Sequence, residues 1–261
     1  SSVTLYGVAD AGVTYLNGKD NWSGVSSGNQ LTSRIGFRGV EDLGGGLKAN
    51  FRLEAGLNLD SGDGASGYAG AKAGEGLAFK RNSTVGLEGG FGEVRLGREL
   101  TAAYNAVARY DVFGSVGLAQ SRLWADGDIA DGTSGSVVVN TSTGNVVSGN
   151  VTTNQRVSNA LTYVSPNFAG FKAAVNYGFG EVAGKNSERR YMGAGLTYDN
   201  GPLSLGLGVE RLSRDAGIVV ATAPTTTTVT NGDITAWSLG GSYDLGVAKL
   251  LAGYRSSKVD D

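Results

Sequence analysis

The chain of 261 residues holds 44 Gly, 3 Pro and neither His nor Cys, with a formal charge of −2. Without His and Cys there is no Ser-His-Asp or Cys-His catalysis, no His or Cys zinc site, no dithiol redox chemistry and no haem ligation by either residue. Abundant Gly with so little Pro and no Gly-X-Y period excludes collagen and Pro-Gly linkers, and the near-neutral charge offers nucleic acid no concentrated basic face. No apolar run approaches the 18 or so residues of a membrane helix. Ser1, Ser2 and Val3 open the chain without an initiator Met or a basic-then-apolar leader, so it reads as a mature product from which any export signal has been removed.

The first predicted element is one long strand, in which Val3, Leu5, Gly7, Ala9, Ala11, Val13 and Tyr15 alternate with Thr4, Tyr6, Asp10, Gly12 and Thr14. The period of two returns from Leu47 to Leu57, from Phe171 to Phe179, from Leu203 to Val209 and from Trp237 to Leu245, and a last strand runs from about Val247 to Arg255. Short turns at about 41–46, 89–92, 165–170, 199–202 and 244–246 alternate with long polar loops at about 17–31, 58–79, 98–154, 180–189 and 213–232. About eleven strands result, with no helical pattern and no solenoid period. Short connections on one rim and long ones on the other mark an up-and-down sheet. Within the third long loop, the Ser-, Thr- and Val-rich stretch 132–154 fits a β-hairpin, and Thr225–Thr228 reads as exposed loop.

A soluble sandwich alternates too, so the two faces decide the solvent. The apolar face mixes Leu and Val with Ala and Gly and ends in Tyr15, Tyr163, Tyr177, Phe179, Tyr198, Tyr243 and Tyr254 near strand termini. Strands of about ten residues with aromatic girdles are what a transmembrane β-barrel needs, because hydrocarbon requires every backbone group to be paired within the sheet. The other face carries Arg34, Arg38, Lys48, Arg52, Glu54, Arg95, Arg156, Lys172, Glu210 and Lys249, and that density of charge implies water inside. The fold class expected is therefore all-β, a single antiparallel transmembrane barrel over 1–261.

Several segments resemble the general porins of Gram-negative outer membranes, in particular their β-proteobacterial branch. They are Ser2–Gly7, Ser33–Gly39, Glu41–Leu47, Phe79–Leu87, Phe91–Arg98, and Arg156–Tyr163 running into Ser165–Phe168, and they recur in order along most of the chain. The resemblance implies sixteen strands, a homotrimer in the outer membrane among lipid and lipopolysaccharide, periplasmic short turns, external long loops, and a third loop (98–131) folded into the pore. It also implies a constriction with a basic wall of Arg34, Arg81 and Arg156, faced by Asp111 of the third loop or by Glu99. Alternation puts Arg34 and Arg156 inward but leaves open whether Lys80 or Arg81 points into the lumen. Arg38, Arg52, Arg95 and Lys172 line the pore as further inward cations. Cations facing a carboxylate set up a transverse field, and the slight basic excess inside leans toward anions.

Other motifs carry less. Gly184-Lys185 lacks the Gly and Ser/Thr positions of a phosphate loop. Asp60-Ser61-Gly62-Asp63-Gly64, and Asp126, Asp128 and Asp131, are acidic enough for Ca²⁺ without its loop spacing. Glu54 and Glu88 are the pair that would suit a glycosidase, chemistry that needs no His. No cofactor is expected. A single-chain barrel needs an even strand number, so eleven strands predict a C-terminally incomplete sequence. The function expected is passive diffusion of small hydrophilic solutes and inorganic ions with moderate anion preference. A substrate-specific anion channel, an adhesin or receptor barrel acting through its loops, and a soluble carbohydrate-binding β protein are the alternatives.

Overall fold

The structure, a computed structural model, describes residues 2–65, 76–114, 121, 123–124, 138–139, 146–147, 155–180, 190–213, 218–222, 225–229 and 233–260. Eleven strands pair antiparallel in chain order to form one wall. They are β1 (Ser2–Val8), β2 (Arg34–Gly44), β3 (Leu47–Leu57), β4 (Asn82–Gly89), β5 (Gly92–Leu100), β6 (Arg156–Val164), β7 (Phe171–Gly178), β8 (Tyr191–Asn200), β9 (Leu203–Leu212), β10 (Asp233–Asp244) and β11 (Lys249–Asp260). β1 and β11 are its two edges, and the two-residue strand Gly64–Ala65 extends β3.

Two of the short turns use the same device. Asp42-Leu43-Gly44 and Asp244-Leu245-Gly246 each fold an Asp carboxylate back onto the Gly N–H, at 2.8 Å in both. The glycines sit at φ of 85° and 82°, a left-handed region that residues with a Cβ rarely adopt, so these two positions favour Gly.

Burial along the strands is inverted relative to a protein folded around an apolar core. In β9 the large side chains Leu205, Leu207 and Val209 are exposed, while Gly206, Gly208 and Glu210 between them are buried. Across the wall, Glu54, Asn82, Thr84, Glu99, Thr162, Asn176 and Ser238 are among the buried groups, and Val3, Leu5, Phe37, Val85, Leu96, Val175, Trp237 and Leu239 face out. An outward apolar belt on closely paired strands is the surface a bilayer solvates. Phe91, Phe168, Phe171 and Tyr243 are exposed toward the short-turn rim, where the Tyr163 hydroxyl donates to the Phe91 carbonyl at 2.7 Å. Phe179 and Trp237 are exposed nearer the other rim, and the Trp237 ring lies 5.2 Å, centroid to centroid, from that of Tyr254 at mid-strand.

Four local departures from the sequence pattern have identifiable causes. The alternation from Val3 to Tyr15 is not one strand, for the chain leaves the wall at Asp10. The segment Ala11–Leu16 then pairs with Trp22–Ser27 as a separate hairpin. Asp10 makes that turn, its carboxylate accepting the N–H groups of Asn29, Gln30 and Leu31 at 3.3, 2.8 and 2.7 Å. Those backbone donors, Leu31 foremost, hold its pKa below the usual carboxylate range. Thr225–Val229 is not plain loop either, because it pairs with Ile218–Thr222. A short antiparallel pair, Val138–Val139 with Val146–Val147, lies within the stretch read as a hairpin. In β6 the register shifts between Val157 and Ala160, with Asn159 at φ 49°, so alternation cannot be carried from Tyr163 back to Arg156. Finally, a helix does occur: α1 (Ala102–Val107), continued by a 3-10 turn at Ala108–Tyr110. Six residues are too few to show a 3.6 period.

Candidate functional site

The inner face of β1–β4 is built in register rows. Tyr6, Gly36, Glu54 and Asn82 are successive partners across four strands, and the next row holds Thr4, Arg38, Arg52 and Thr84. Gly36 lets the Tyr6 ring lie flat on the wall, since a Cβ there would meet that ring. Across this gap the Tyr6 hydroxyl donates to Glu54 Oε2 at 2.9 Å and accepts Arg52 Nε at 2.8 Å. The guanidinium groups of Arg38 and Arg52 stand opposite each other on the same row, where like charges repel. The Tyr6 ring lies 5.4 and 5.6 Å from them, a cation–π arrangement that offsets part of this.

Glu54 is the acid at the centre of this wall. It is 4% exposed and bonded to Arg52 at 2.7 Å and to Arg81 at 2.8 Å. Arg81 occupies the bend before β4, outside the strand, which is why parity does not assign it. Its side chain is only 10% exposed and turned to Glu54, whereas Lys80 is exposed and presents its carbonyl to Arg98 Nε at 2.7 Å. Arg156 is buried, donating from Nε to the Arg81 carbonyl at 2.9 Å, with the like charges of Arg81 and Arg98 acting on it. Arg98 also reaches Ser158 Oγ at 2.6 Å. Arg34 donates to the Thr32 carbonyl at 3.3 Å. The structure thus joins Arg81 and Arg156 directly, sets Arg98 beside them, and leaves Arg34 and Arg38 along β2.

The third loop does not begin at Arg98. β5 continues to Leu100, so Glu99 is a strand residue, buried, with its carboxylate on Arg95 at 2.6 Å. Arg95 is also held by Glu93 at 2.6 Å and is therefore a neutralised cation. Asp111 serves its own turn, accepting the N–H groups of Phe113 and Gly114 at 3.2 Å and the hydroxyl of Ser121. Lys172 is exposed on β7 and lines a cavity of about 350 Å³ between α1 and the wall, together with Arg95, Arg109 and Asp199. Asp126, Asp128 and Asp131 lie outside the described residues, and among the described residues no acidic cluster is arranged to hold a metal. Glu54 and Glu88 are six ladder positions apart, about 20 Å, too far for a pair of glycosidase carboxylates.

What seats the loop is a bed of small residues. Thr101 caps α1, accepting Tyr104 N–H at 3.1 Å, and Asn176 takes the Ala102 N–H while donating to Thr162 Oγ1 at 2.6 Å. The helix lies on Gly195, Gly206 and Gly208, whose added Cβ atoms would run into the carbonyls of Ala102, Ala106 and Ala103, and Gly240 makes room for the Tyr110 ring. The Tyr110 hydroxyl meets Ser204 Oγ at 2.8 Å and Arg109 pairs with Asp199 at 3.0 Å. Sequence reasoning misses Tyr6, Glu54 as the partner of Arg81, and Arg98. The signal for Tyr6 and Glu54 is that both lie on the polar parity of their strands, two places apart in the wall.

A family model described as Gram-negative porin matches residues 1–261. Outer membrane porin protein 32 of Delftia acidovorans is 38% identical over 259 residues, 96% of this chain and 62% of that protein. An outer membrane porin protein of Bordetella pertussis is 30% identical, over 97% of this chain and 63% of its own length. The solved anion-selective porin from Comamonas acidovorans superposes with a TM-score of 0.72 at 36% identity, covering 99% of this chain and 68% of that one. The chain spans a little over three fifths of the length of the two curated relatives. With a polar inner face, a lipid-facing outer face and these likenesses in hand, the chain belongs to the Gram-negative porin family of the outer membrane.

Proposed function

We propose that the protein forms a passive outer-membrane channel for small hydrophilic solutes and inorganic ions, with a preference for anions, and that it does so as a homotrimer seated among lipid and lipopolysaccharide. The observation that carries this reading is the crowding of three arginines on the inner wall: Arg81, paired with Glu54, and Arg98 both act on the buried Arg156, which donates to the Arg81 carbonyl. The solved relative named an anion-selective porin supports it. Arg34, Arg38 and Arg52 extend the positive field along β2 and β3, and the third loop narrows the lumen on the opposite side. An anion entering gains from each guanidinium without any covalent chemistry.

The test is the zero-current potential of the purified protein in a planar bilayer under a salt gradient. A unit charge about 8 Å from the ion path in water is worth ~0.5 kcal/mol, about twofold in permeability. Because an anion loses what a cation gains, the double variant Arg81→Ala/Arg156→Ala is expected to cut the anion-to-cation permeability ratio by up to about sixteenfold and to move the potential toward the cation side. An unchanged potential in channels of unchanged conductance would sink the assignment.

A further inference from the structure

Behind the third loop the wall carries a second ionic cluster, away from the arginines of the first. Glu210 on β9 and Arg255 on β11 pair at 2.6 Å across β10, with side-chain exposures of 0% and 3%. The Tyr191 hydroxyl donates to the other Glu210 oxygen at 2.7 Å. The ring of Trp124, from the return limb of the third loop, lies over the Arg255 guanidinium with 4.5 Å from Cζ to its centroid. Trp124 is buried and meets Tyr104 of α1 edge-on, centroids 4.9 Å apart. It also packs in one cluster with Ala106, Val107 and Tyr110. Next to it, Leu123 Cδ2 is 3.2 Å from where a Cβ on Gly253 of β11 would stand.

We propose that Arg255 is a positioning residue for the third loop: anchored by Glu210, it pins Trp124, and through Trp124 the return limb, against the inner wall, so that the bore is set from β11. Three observations converge on this. A buried ion pair is a poor stabiliser by itself, and an apolar pair of the same volume would fill the space as well. A guanidinium out of water, by contrast, holds an aromatic face with direction and strength. The outgoing limb of the loop already has its own seat on Gly195, Gly206 and Gly208, while among the described residues of the return limb Leu123 and Trp124 are the side chains packed against the wall and α1. The consequence for the bore rests on the channel reading above; the contact itself does not.

The chain has no Cys and three Trp, which makes the test clean. In a Trp22→Phe/Trp237→Phe background, Trp124 is the sole indole, and excitation at the red edge, where tyrosine does not absorb, reads it alone. The variant Arg255→Met/Glu210→Gln removes the cation without stranding a buried carboxylate, and Trp124→Leu removes the ring while leaving the ion pair. Acrylamide quenching of Trp124 in the folded protein is expected to rise in Arg255→Met/Glu210→Gln toward that of an exposed indole. In bilayers, both variants are expected to visit a second conductance level about thirtyfold more often than wild type, the usual strength of a desolvated cation–π contact. An oxidised Leu123→Cys/Gly253→Cys bridge is expected to abolish that level in the Arg255→Met/Glu210→Gln protein, and reduction to restore it. Trp124 as well shielded as in wild type, or a second level indifferent to the bridge, overturns the proposal. Quenching is read without current, so absence of conductance in every form, wild type included, counts against the channel and not against the latch.

Discussion

Replacing Gly206 by valine is expected to lift α1 off the inner wall and raise single-channel conductance above wild type. A Cβ at this position would run into the Ala106 carbonyl oxygen and stand 2.8 Å from Cε2 of Tyr110 and 3.0 Å from the Ala106 carbonyl carbon. Two of these are backbone atoms of a capped helix and cannot rotate away. The strand gains β propensity from valine, so the strain falls on the loop. Overpacking of this kind costs about 1–3 kcal/mol, enough to shift a seated-to-unseated equilibrium by a factor of about 5 or more. Limited proteolysis of the third loop, alongside conductance, reads the displacement. Gly241→Ala is the matched control: it lies on the other parity of β10, where the nearest atom is the flexible end of Leu205 at 3.1 Å. Equal conductance in Gly206→Val and Gly241→Ala would show that the small-residue bed does not position the loop.

Glu54→Gln is the second large effect, and it acts in two directions. The carboxylate takes three donors, from Arg81, Arg52 and Tyr6. Gln keeps the shape and one acceptor but cannot neutralise either guanidinium. The Arg81 contact, with both side chains nearly enclosed, is in the range of about 1.5–3 kcal/mol for a hydrogen bond between charged groups. The Arg52 contact involves a side chain 49% exposed and adds at most about 1 kcal/mol after screening. Stability is therefore expected to fall by about 2–4 kcal/mol, read from the unfolding midpoint in detergent. Selectivity is expected to move the other way: with the Glu54 carboxylate gone from between Arg52 and Arg81, an anion gains and a cation loses about twofold each, so anion preference rises about fourfold. A fall in both quantities would mean that the cluster collapses rather than losing a charge.

The wall itself was legible because it is repetitive. Alternation in β3, β7, β9 and β10, with Asp-Leu-Gly turns at 42–44 and 244–246, carries its own register, and each pair repeats the test. The missed details are single events. Nothing local distinguishes Asp10, which ends β1, from the other polar residues of an unbroken alternation; its effect depends on Asn29, Gln30 and Leu31 arriving from some twenty residues away. Asn159 adds one residue to β6 and swaps the faces beyond it, so the parity argument for Arg156 failed even though its guanidinium is buried beside Arg81. Arg81 stands in a bend where alternation has no meaning. Glu54 showed its face but not its partners, for Arg81 comes from a bend 27 residues away and Tyr6 from a strand 48 residues away. The seat of α1 appears in the sequence only as strand glycines, which read as weakness until something is laid on them.

Main-chain oxygens moor Arg156 and Arg34, through the carbonyls of Arg81 and Thr32. A carbonyl is a dipole and returns no net charge, so neither mooring cancels the side chain it holds, and on the proposed channel reading Arg34, the less enclosed of the two, pulls on a passing anion. What weakens such a lure is electrolyte, whose screening length shrinks from about 30 Å at 0.01 M to about 10 Å at 0.1 M. Dilution of the surroundings strengthens it.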